Sequence, residues 1–564
     1  MKKILVFFLT IGFALSAFSQ DSYWVFFQDK GISSLPIEER VALSPTAIAM
    51  RAKLNIPLDE KDLPVYAPYL QQLADYDVDI INHSRWLNAA VVVPGTETDL
   101  AYIYELPFVK GVKPTASLIM AEADEDGSLP IPSGSENSIF DYGEASFQNN
   151  MLNVAALHSK GFTGKGVRLA VFDGGFPGVD TMKLFDSLRL EERILGYKDF
   201  VRNRPDVFHS SNHGTRVLST IATNIPGQMV GSAPHVSVMM CITEDTRSET
   251  RKEEHNWVAA IEWADSMGVD IVHSSLGYSE FDTEEETYSY SDMNGDLTVI
   301  TRAADVAASK GIIVTTSAGN EGSGNWHYIT APCDADSVLC IGSVDREKNR
   351  SRFSSFGPSY DGRIKPDVVA LGTRTTVAGP TDDVRTSNGT SFSSPTISGL
   401  VACLKQAHPD RNIMDIIQAV RLSGDNADSP DNEYGYGIPD GAFADEMLRK
   451  DAGVASIAAA QEAERKLTAE MEATEEVVEE ETFEFTENPK TVLVKKGNKL
   501  KITSPSTLKK ITLMYGDQLV SLPNSDIKRK GDSVQYKTKY LVPGEYYVEV
   551  VTDAYTEYIP FIID

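Results

Sequence analysis

The sequence has few cysteines, with only 4 among 564 residues. So few cysteines exclude a fold that is held together mainly by disulfides. Cys333 and Cys340 are close in sequence and could bridge a short loop. Cys241 and Cys403 lie in apolar runs, which predicts buried thiols.

Long apolar stretches are also lacking. The run over residues 4–17 is shorter than the roughly 20 residues that a membrane-spanning helix needs, and no later stretch is long and apolar enough. This run follows Met1-Lys2-Lys3 and leads into Ala17-Phe18-Ser19, where small residues suit cleavage. Residues 1–19 are therefore predicted to be a secretory signal peptide. We expect a soluble protein that is secreted or displayed at the cell surface.

Basic charge is scarce relative to acidic charge. The 52 Lys and Arg residues against 81 Asp and Glu residues give a formal net charge of −29. Such a surface repels phosphates, which argues against nucleic acid or an anionic membrane as a partner. The chain is long enough for several domains, and its 42% hydrophobic content is ample for their cores.

Residues 20–118 show strands with helices interleaved, which favours a small α+β domain. Strands are expected at residues 23–27, 79–81, 89–93 and 109–112, and helices at residues 36–54, 65–74 and 96–106. Residues 119–147 follow, rich in Asp, Glu, Ser, Pro and Gly, and are predicted to be an exposed, cleavable linker. A folded unit before a cleavable joint fits a pro-domain, and an ordinary accessory domain is the alternative.

Over residues 148–448 the pattern repeats as strand, loop and helix, which is typical of a parallel sheet with helices on both faces. Functional groups in such sheets gather just beyond the carboxyl ends of the strands. Asp173 and Asn320 each follow a predicted strand, and His213 precedes a helix-like run over residues 216–222. Taken singly, each of the three residues is explained equally well as a turn or surface polar group.

Ser391 lies at the start of another helix-like run, after Asn388-Gly389-Thr390. Gly389 permits a sharp turn, and Pro395 is expected in the first turn of the helix, where N–H groups lack intrahelical partners. The Ser391 hydroxyl would then lie at the positive end of the helix dipole, which suits a nucleophile whose transition state gains negative charge. A serine at a helix start is more often only an N-cap.

In their chain order, the segments that contain these four residues resemble the signature segments of the subtilisin-like serine proteases. They are Val171 to Gly175, His213 to Thr215, Ser317 to Asn320 and Gly389 to Pro395. The resemblance covers roughly residues 150–445. It implies a subtilisin-like α/β fold with a doubly wound parallel sheet.

The resemblance also implies roles for named residues. Asp173, His213 and Ser391 would form the catalytic triad of a serine endopeptidase, with Asn320 as a donor to the oxyanion. Substrate proteins or peptides would bind along Ser274, Ser275, Leu276 and Gly277, with Ala318 and Gly319 beside them. The protein would be a self-processed zymogen with its pro-domain as intramolecular inhibitor. Gly174 and His273 depart from the family pattern, in which Thr or Ser and Asn are common, but neither departure removes a catalytic group.

Two segments invite interpretation as metal sites. His209 and His213 are four residues apart, as in helical zinc sites, but no glutamate lies between them and Gly214 follows directly. Residues 292–296 place oxygen ligands at alternate positions, but Ala303 stands where a calcium loop of the EF-hand type needs glutamate. No metal site is assigned, although the family resemblance allows a structural calcium ion whose position the sequence does not give.

The composition changes again after the central region. Residues 449–487 are rich in Ala and Glu and are predicted to be a partly helical, solvated spacer. Residues 488–564 carry short strands between Gly and Pro residues, which favours a β-sandwich. The segment Leu541 to Asp553 resembles the C-terminal sorting domains of Bacteroidetes type IX secretion cargo, which would make export machinery a partner. A stabilising or substrate-binding β-module is the alternative.

Two other functions compete with an endopeptidase. An exported binding or scaffold protein could keep the fold without activity, but the complete set of Asp173, His213, Asn320 and Ser391 argues against it. An esterase could use a similar triad, but the G-x-S-x-G segment of those enzymes does not surround Ser391, and the order of the triad differs.

Overall fold

The computed structural model describes residues 22–31, 33, 35–114, 139–245, 252–279 and 287–449, together with the strands of a C-terminal region. The chain divides into two compact units, Met1–Gln461 and Glu462–Asp564. The predicted signal peptide, residues 115–118 at the end of the predicted pro-domain, linker residues 119–138 and spacer residues 450–487 lie outside the described residues.

The N-terminal domain, residues 22–114, is an antiparallel sheet with three α-helices. Its strands are β1 (Tyr23–Phe27), β2 (Val78–Ser84), β3 (Ala89–Pro94) and β4 (Val109–Pro114), in the order β2-β3-β1-β4, and its helices are α1 (Pro45–Lys53), α2 (Ala67–Leu73) and α3 (Glu97–Tyr104). The single helix predicted over residues 36–54 is wrong. A short 3₁₀ turn precedes α1, because Ser44 Oγ accepts a hydrogen bond from the Ala47 amide at 3.1 Å and Pro45 starts a new helix.

The central domain, residues 139–449, is built on a parallel sheet of seven strands. In chain order, the strands of the domain are β5 (Arg168–Asp173), β6 (Ile194–Asp199), β7 (Asn224–Ile225), β8 (Met229–Val230), β9 (Ser237–Ile242), β10 (Ile271–Ser274), β11 (Ile313–Ser317), β12 (Leu339–Val344), β13 (Val368–Leu371), β14 (Thr375–Ala378) and β15 (Val384–Ser387). The order in the large sheet is β13-β12-β11-β10-β5-β9-β6, and β7 with β8 and β14 with β15 form two hairpins.

Helices cover both faces of this sheet. They are α4 (Ser146–Met151), α5 (Val154–Ser159), α6 (Asp186–Leu190), α7 (His213–Ala222), α8 (Lys252–Met267), α9 (Val299–Ser309), α10 (Thr390–Ala407), α11 (Ile413–Leu422) and α12 (Gly441–Arg449). In β5, Leu169 and Val171 belong to the core that includes α7 and α10, whereas Ala170 and Phe172 belong to the core of α8 and α9. The alternation along one strand confirms the predicted doubly wound sheet.

The N-terminal domain packs on α8 of the central domain. One face of β1, with Val25 and Phe27, packs within the domain's own core. Trp24, on the opposite face, lies in a shared core with Trp257 of α8. β1 is therefore apolar throughout because both of its faces are covered.

A buried ion network crosses the same interface. The Arg51 guanidinium lies 2.9 Å from Asp62 within its own domain and 2.7 Å from Asp265 of α8. Arg85 also pairs with Asp265, at 2.5 Å, and Lys310 of the central domain pairs with Asp62 at 3.0 Å. Each carboxylate thus has two cationic partners, which offsets the cost of removing the charges from water.

Part of the predicted linker is folded onto the central domain. Tyr142 and Ala145 are buried, and the Tyr142 hydroxyl lies 2.7 Å from Nδ1 of the buried His158. The prediction that the linker extends to residue 147 is therefore wrong over residues 139–147. The aromatic side chains of this segment supply enough apolar surface to hold it against the core.

The cysteines occur as the sequence suggested. Cys333 and Cys340 form a disulfide, with Cα atoms 5.0 Å apart, and Cys241 and Cys403 are buried free thiols. Among the residues that the structure describes, no helix combines the length and apolarity needed to cross a membrane.

The C-terminal unit contains two four-stranded antiparallel sheets. Its strands are β16 (Val492–Lys495), β17 (Lys499–Thr503), β18 (Leu508–Tyr515), β19 (Gln518–Leu519), β20 (Ile527–Lys530), β21 (Ser533–Lys537), β22 (Gly544–Thr552) and β23 (Thr556–Ile563), in the orders β16-β17-β21-β20 and β19-β18-β22-β23. Tyr546, Val548 and Val550 alternate along β22 and are buried, so one face of its sheet is covered.

Candidate active site

The carboxyl ends of three neighbouring strands gather the predicted site residues at one edge of the sheet. β10 pairs in parallel with β5 on one side and β11 on the other, so that Ser274 lies opposite Phe172 and Thr316. Asp173 is the last residue of β5, and the segment leading to Asn320 follows the end of β11. Residues far apart in the chain meet here because parallel strands end at the same edge.

Asp173 and His213 form a close pair. The His213 ring places Nδ1 3.0 and 2.9 Å from the two carboxylate oxygens of the fully buried Asp173. Helix α7 begins at His213 and comes this close because the next residue is Gly214. A Cβ at Gly214 would lie 2.5 Å from the Gly175 carbonyl oxygen. The carboxylate fixes which ring nitrogen carries hydrogen and leaves Nε2 to act as a base.

Ser391 is the second residue of α10, directly after the turn at Gly389. Gly389 has φ of +145°, a conformation that side-chain-bearing residues rarely adopt, so the glycine permits the turn as predicted. The Ser391 hydroxyl donates to the Ser275 carbonyl oxygen at 3.3 Å. The expectation that Pro395 lies in the first helical turn is wrong, because α10 starts at Thr390 and Pro395 is in its interior.

Asn320 is fixed beside Ser391. Its Oδ1 accepts hydrogen bonds from the backbone N–H of Thr390 at 3.0 Å and from the Thr390 hydroxyl at 2.9 Å. Because the oxygen is held in this way, the Nδ2 group faces away from Thr390 and is oriented as a donor. The pair of Asp173 and His213 adjoins this group, since the His213 ring lies 5.5 Å from the ring of Phe392. The structure thus brings the four predicted residues into one site.

The predicted substrate-binding segment, residues 274–277, lies at the same edge. Ser274, Ser275 and Leu276 are buried, and Ser274 Oγ accepts from the Trp257 indole at 3.0 Å, so its side chain is already engaged. Ala318 is buried as well, and Gly319 adopts φ of +105°. The side chains of this segment are thus buried within the protein, and that of Ser274 is held by Trp257.

Thr330 lies beside the predicted substrate-binding residues and was not singled out from the sequence. It is 3% exposed, and within the described part of the chain its hydroxyl has no hydrogen-bond partner. A Cβ at Gly277 would collide with this hydroxyl, and a Cβ at Gly319 would lie 3.0 Å from it. Two predicted substrate-binding glycines therefore converge on Thr330, but no local pattern in the sequence marks it.

Two further buried groups influence the charge of the site. Burial raises the pKa of Glu244 to about 7, and the charge of Asp173 pushes it in the same direction. Burial lowers the pKa of His273 to about 3, and the positive charge of His213 adds to the effect. His273 is therefore neutral at physiological pH and adds no positive charge beside His213.

The two segments considered as metal sites have these local arrangements. His209 lies in the loop before α7, so the two histidines do not share a helix face. In the acidic loop, Asp292 accepts from the Ser289 amide at 2.7 Å, and Asn294 accepts from the Asp296 amide at 3.1 Å. Across the described ranges, no three His, Cys, Asp or Glu side chains are grouped as a metal site.

Two family profiles match this chain. Residues 164–437 match the profile of the subtilase family, Peptidase S8. Residues 22–127 match the profile of the Peptidase S8 propeptide domain of Bacteroidota. The two matches correspond to the central and N-terminal domains of the structure.

The individual relatives include subtilisins and an alkaline elastase. The chain is 30% identical over 264 residues to subtilisin NAT of Bacillus subtilis subsp. natto, which covers 46% of this chain and 61% of that protein. It is also 30% identical over 264 residues to the subtilisin of Bacillus pumilus, covering 46% of this chain and 84% of that protein. Alkaline elastase YaB of Bacillus sp. (strain YaB) is 27% identical over 290 residues, or 51% of this chain and 67% of the relative.

Proposed function

The chain belongs to the subtilase family, and on that premise we propose that it is a secreted serine endopeptidase made as a zymogen. The observation that carries the proposal is the convergence of two pairs at one sheet edge. One pair is Asp173 with His213, and the other is Ser391 with Asn320. Together they supply a nucleophile, a base, a group that orients the base and a donor for the oxyanion.

In the proposed reaction, Ser391 Oγ attacks the carbonyl carbon of a peptide bond. His213 Nε2 takes the hydroxyl proton and later gives it to the leaving amine, and water then hydrolyses the acyl-enzyme by the same route. Asp173 holds the imidazole through Nδ1 and stabilises its protonated form. Negative charge develops on the carbonyl oxygen, where Asn320 Nδ2 and the Ser391 backbone N–H would donate.

Substrate binding would also prepare the nucleophile. The Ser391 hydroxyl donates to the Ser275 carbonyl oxygen at 3.3 Å. A peptide that binds as an added strand along residues 274–277 would offer its own N–H groups to these carbonyls. Competition for the Ser275 oxygen would release the hydroxyl proton of Ser391 toward His213.

The N-terminal domain would act as the intramolecular inhibitor of the zymogen. It covers α8 through an apolar core and the buried ion network of Arg51 and Asp265. Cleavage between this domain and the central domain would leave it bound without a covalent link. Activity would then rise only as the domain dissociates or is degraded.

The test compares the full chain with Ser391→Ala. We expect the native protein to hydrolyse casein, to react with a fluorophosphonate and to lose its N-terminal domain, as measured by intact mass. The Ser391→Ala protein should do none of these. If the native protein neither labels nor hydrolyses casein after processing by an added protease, the function is that of an inactive binding protein on the same fold.

A further inference from the structure

Pro395 leaves one backbone carbonyl of α10 without its usual helical hydrogen bond, and this carbonyl belongs to the proposed nucleophile. Proline has no backbone N–H, so in the interior of a helix the carbonyl four residues earlier loses its donor. That carbonyl belongs to Ser391. Its donor is instead the Ser275 hydroxyl, which lies 3.0 Å from the Ser391 carbonyl oxygen. A side chain of the neighbouring strand segment thus completes the helix at the nucleophile.

The direction of the neighbouring hydrogen bonds follows from counting hydrogens. The Ser275 hydroxyl has one hydrogen, and it goes to the Ser391 carbonyl. Its contact with His273 Nε2, at 2.7 Å, must therefore have Nε2–H as the donor. The other ring nitrogen, Nδ1, is then an acceptor, and the Ser398 hydroxyl lies 2.9 Å from it.

Further hydroxyls surround the Nδ1 side of the ring. The Thr315 hydroxyl, on the adjacent strand β11, lies 2.8 Å from the Ser398 hydroxyl and 3.2 Å from the Val272 carbonyl oxygen, and the Ser398 hydroxyl also lies 3.1 Å from the Ser394 carbonyl oxygen. From the ring onward, the order is His273 Nε2–H to the Ser275 hydroxyl to the Ser391 carbonyl. Both of these bonds point the same way, so the Ser275 hydroxyl is polarised from both sides.

His273 suits this position because it is buried and has hydrogen-bond partners at both ring nitrogens. It is fully buried in β10, between β5 and β11, where its neighbours in register are Val171 and Thr315. A neutral imidazole supplies one donor and one acceptor in a fixed geometry, which these hydrogen bonds require. A second proton on the ring would remove the acceptor for Ser398.

We propose that His273 is a positioning residue for the nucleophile and that it acts through Ser275 on the backbone of Ser391. The inference rests on the proposed function, since it assigns Ser391 as the nucleophile. The same backbone carries the Ser391 side chain and the N–H that would donate to the oxyanion. A small displacement of this residue therefore changes both the attack and the stabilisation of charge.

The first test measures kcat and KM of full-chain variants on a peptide p-nitroanilide that the native protein cleaves, with active sites counted by a fluorophosphonate. His273→Leu removes the donor and acceptor at similar volume, and we expect kcat to fall about ten- to hundredfold with KM changed less than about threefold. His273→Gln keeps a donor near Nε2 and should recover most of that loss. Ser275→Ala should lower kcat by a similar factor, and His273→Leu/Ser275→Ala should be no worse than the poorer single variant.

A second test restores the missing donor. Pro395→Ala returns a backbone N–H to the position that faces the Ser391 carbonyl in a regular helix. In combination with Ser275→Ala, it should raise kcat at least about fivefold above that of Ser275→Ala alone. If kcat does not rise, the Ser275 hydroxyl does not act through the Ser391 carbonyl and the proposal is overturned.

His158 offers a matched control. It is also fully buried and hydrogen-bonded through both ring nitrogens, to Tyr142 and to the Ser232 carbonyl. His158→Leu should lower the melting temperature as much as His273→Leu but leave kcat of the folded protein within about twofold. Equal losses of kcat in both variants would overturn the proposal, and so would equal kcat for His273→Gln and His273→Leu. If the native protein itself shows no labelling and no hydrolysis, the proposed function fails instead.

Discussion

Removing the charge of Arg51 should weaken the binding of the N-terminal domain to the central domain. Arg51 is 1% exposed and joins Asp62 of its own domain to Asp265 of α8. Burial alone would lower its pKa, but the two carboxylates hold the pKa above the ordinary value. Arg51→Met keeps a long, unbranched side chain in the interface and leaves both carboxylates with one cation fewer.

The loss of binding free energy in Arg51→Met depends on which cations remain beside Asp265 and Asp62. Deleting one partner of a buried ion pair costs about 3–5 kcal/mol. Asp265 keeps Arg85 at 2.5 Å and Asp62 keeps Lys310 at 3.0 Å, so we expect the lower end of this range. A loss of about 3 kcal/mol corresponds to roughly 150-fold weaker inhibition by the cleaved N-terminal domain. The loss includes any strain within that domain, because Asp62 belongs to it.

The assay follows the onset of peptide hydrolysis after the processed protein is diluted into substrate. Weaker binding should shorten the lag and raise the apparent inhibition constant. Lys53→Met is the matched control, since Lys53 lies on the same helix and pairs with Asp410 across the same interface, but both side chains are exposed, at 48% and 79%. An exposed pair contributes at most about 1 kcal/mol, which limits the change to roughly fivefold. Equal effects of the two substitutions would refute the reasoning.

Two further predictions concern the oxyanion donor and the response to acid. Asn320→Ala should lower kcat about 100- to 1000-fold with little change in KM, measured on a peptide substrate, because the donor acts on charge that exists only in the transition state; a change confined to KM would contradict this role. Burial lowers the pKa of His158 to about 4, so between about pH 6.5 and pH 4 the unfolded chain binds a proton at this residue that the folded chain does not bind. The unfolding free energy should therefore decrease as the pH is lowered, by about 2 kcal/mol at pH 5 from this residue alone. Urea titrations of Ser391→Ala with and without His158→Gln measure it, and identical pH dependence of the two proteins would count against it.

The site was predictable from sequence where local pattern and chemistry coincide. Asp173 ends one apolar strand, Asn320 follows another, and Gly389 precedes the helix of Ser391, so each residue was a candidate by its local pattern. The resemblance to a known family, rather than any one pattern, joined them as a single site. The start of α1 at Pro45 could also have been predicted, because Ser44-Pro45 is a helix-start pattern. The prediction of one helix over residues 36–54 did not take this pattern into account.

Other features depend on contacts between distant segments. The Ser275 hydroxyl, 116 residues away in the chain, supplies the hydrogen bond that Pro395 cannot give to the Ser391 carbonyl. Without knowledge of this contact, a proline in the helix interior seemed unfavourable, and Pro395 was therefore predicted in the first turn. Thr330 belongs to the site only because Gly277 and Gly319 are brought against it. Arg51 and Arg85 are paired at the domain interface only because the fold places Asp265 opposite them, and no local pattern in the sequence marks them.

The most direct measurement is the identity of the residue that a fluorophosphonate modifies. We predict that mass spectrometry of a digest of the labelled native protein will find the adduct on Ser391. Ser393→Ala, which removes a neighbouring buried serine of the same helix, should label at the same residue, and Ser391→Ala should not label. An adduct on another residue, or labelling that persists in Ser391→Ala, would contradict the assignment of Ser391 as the nucleophile.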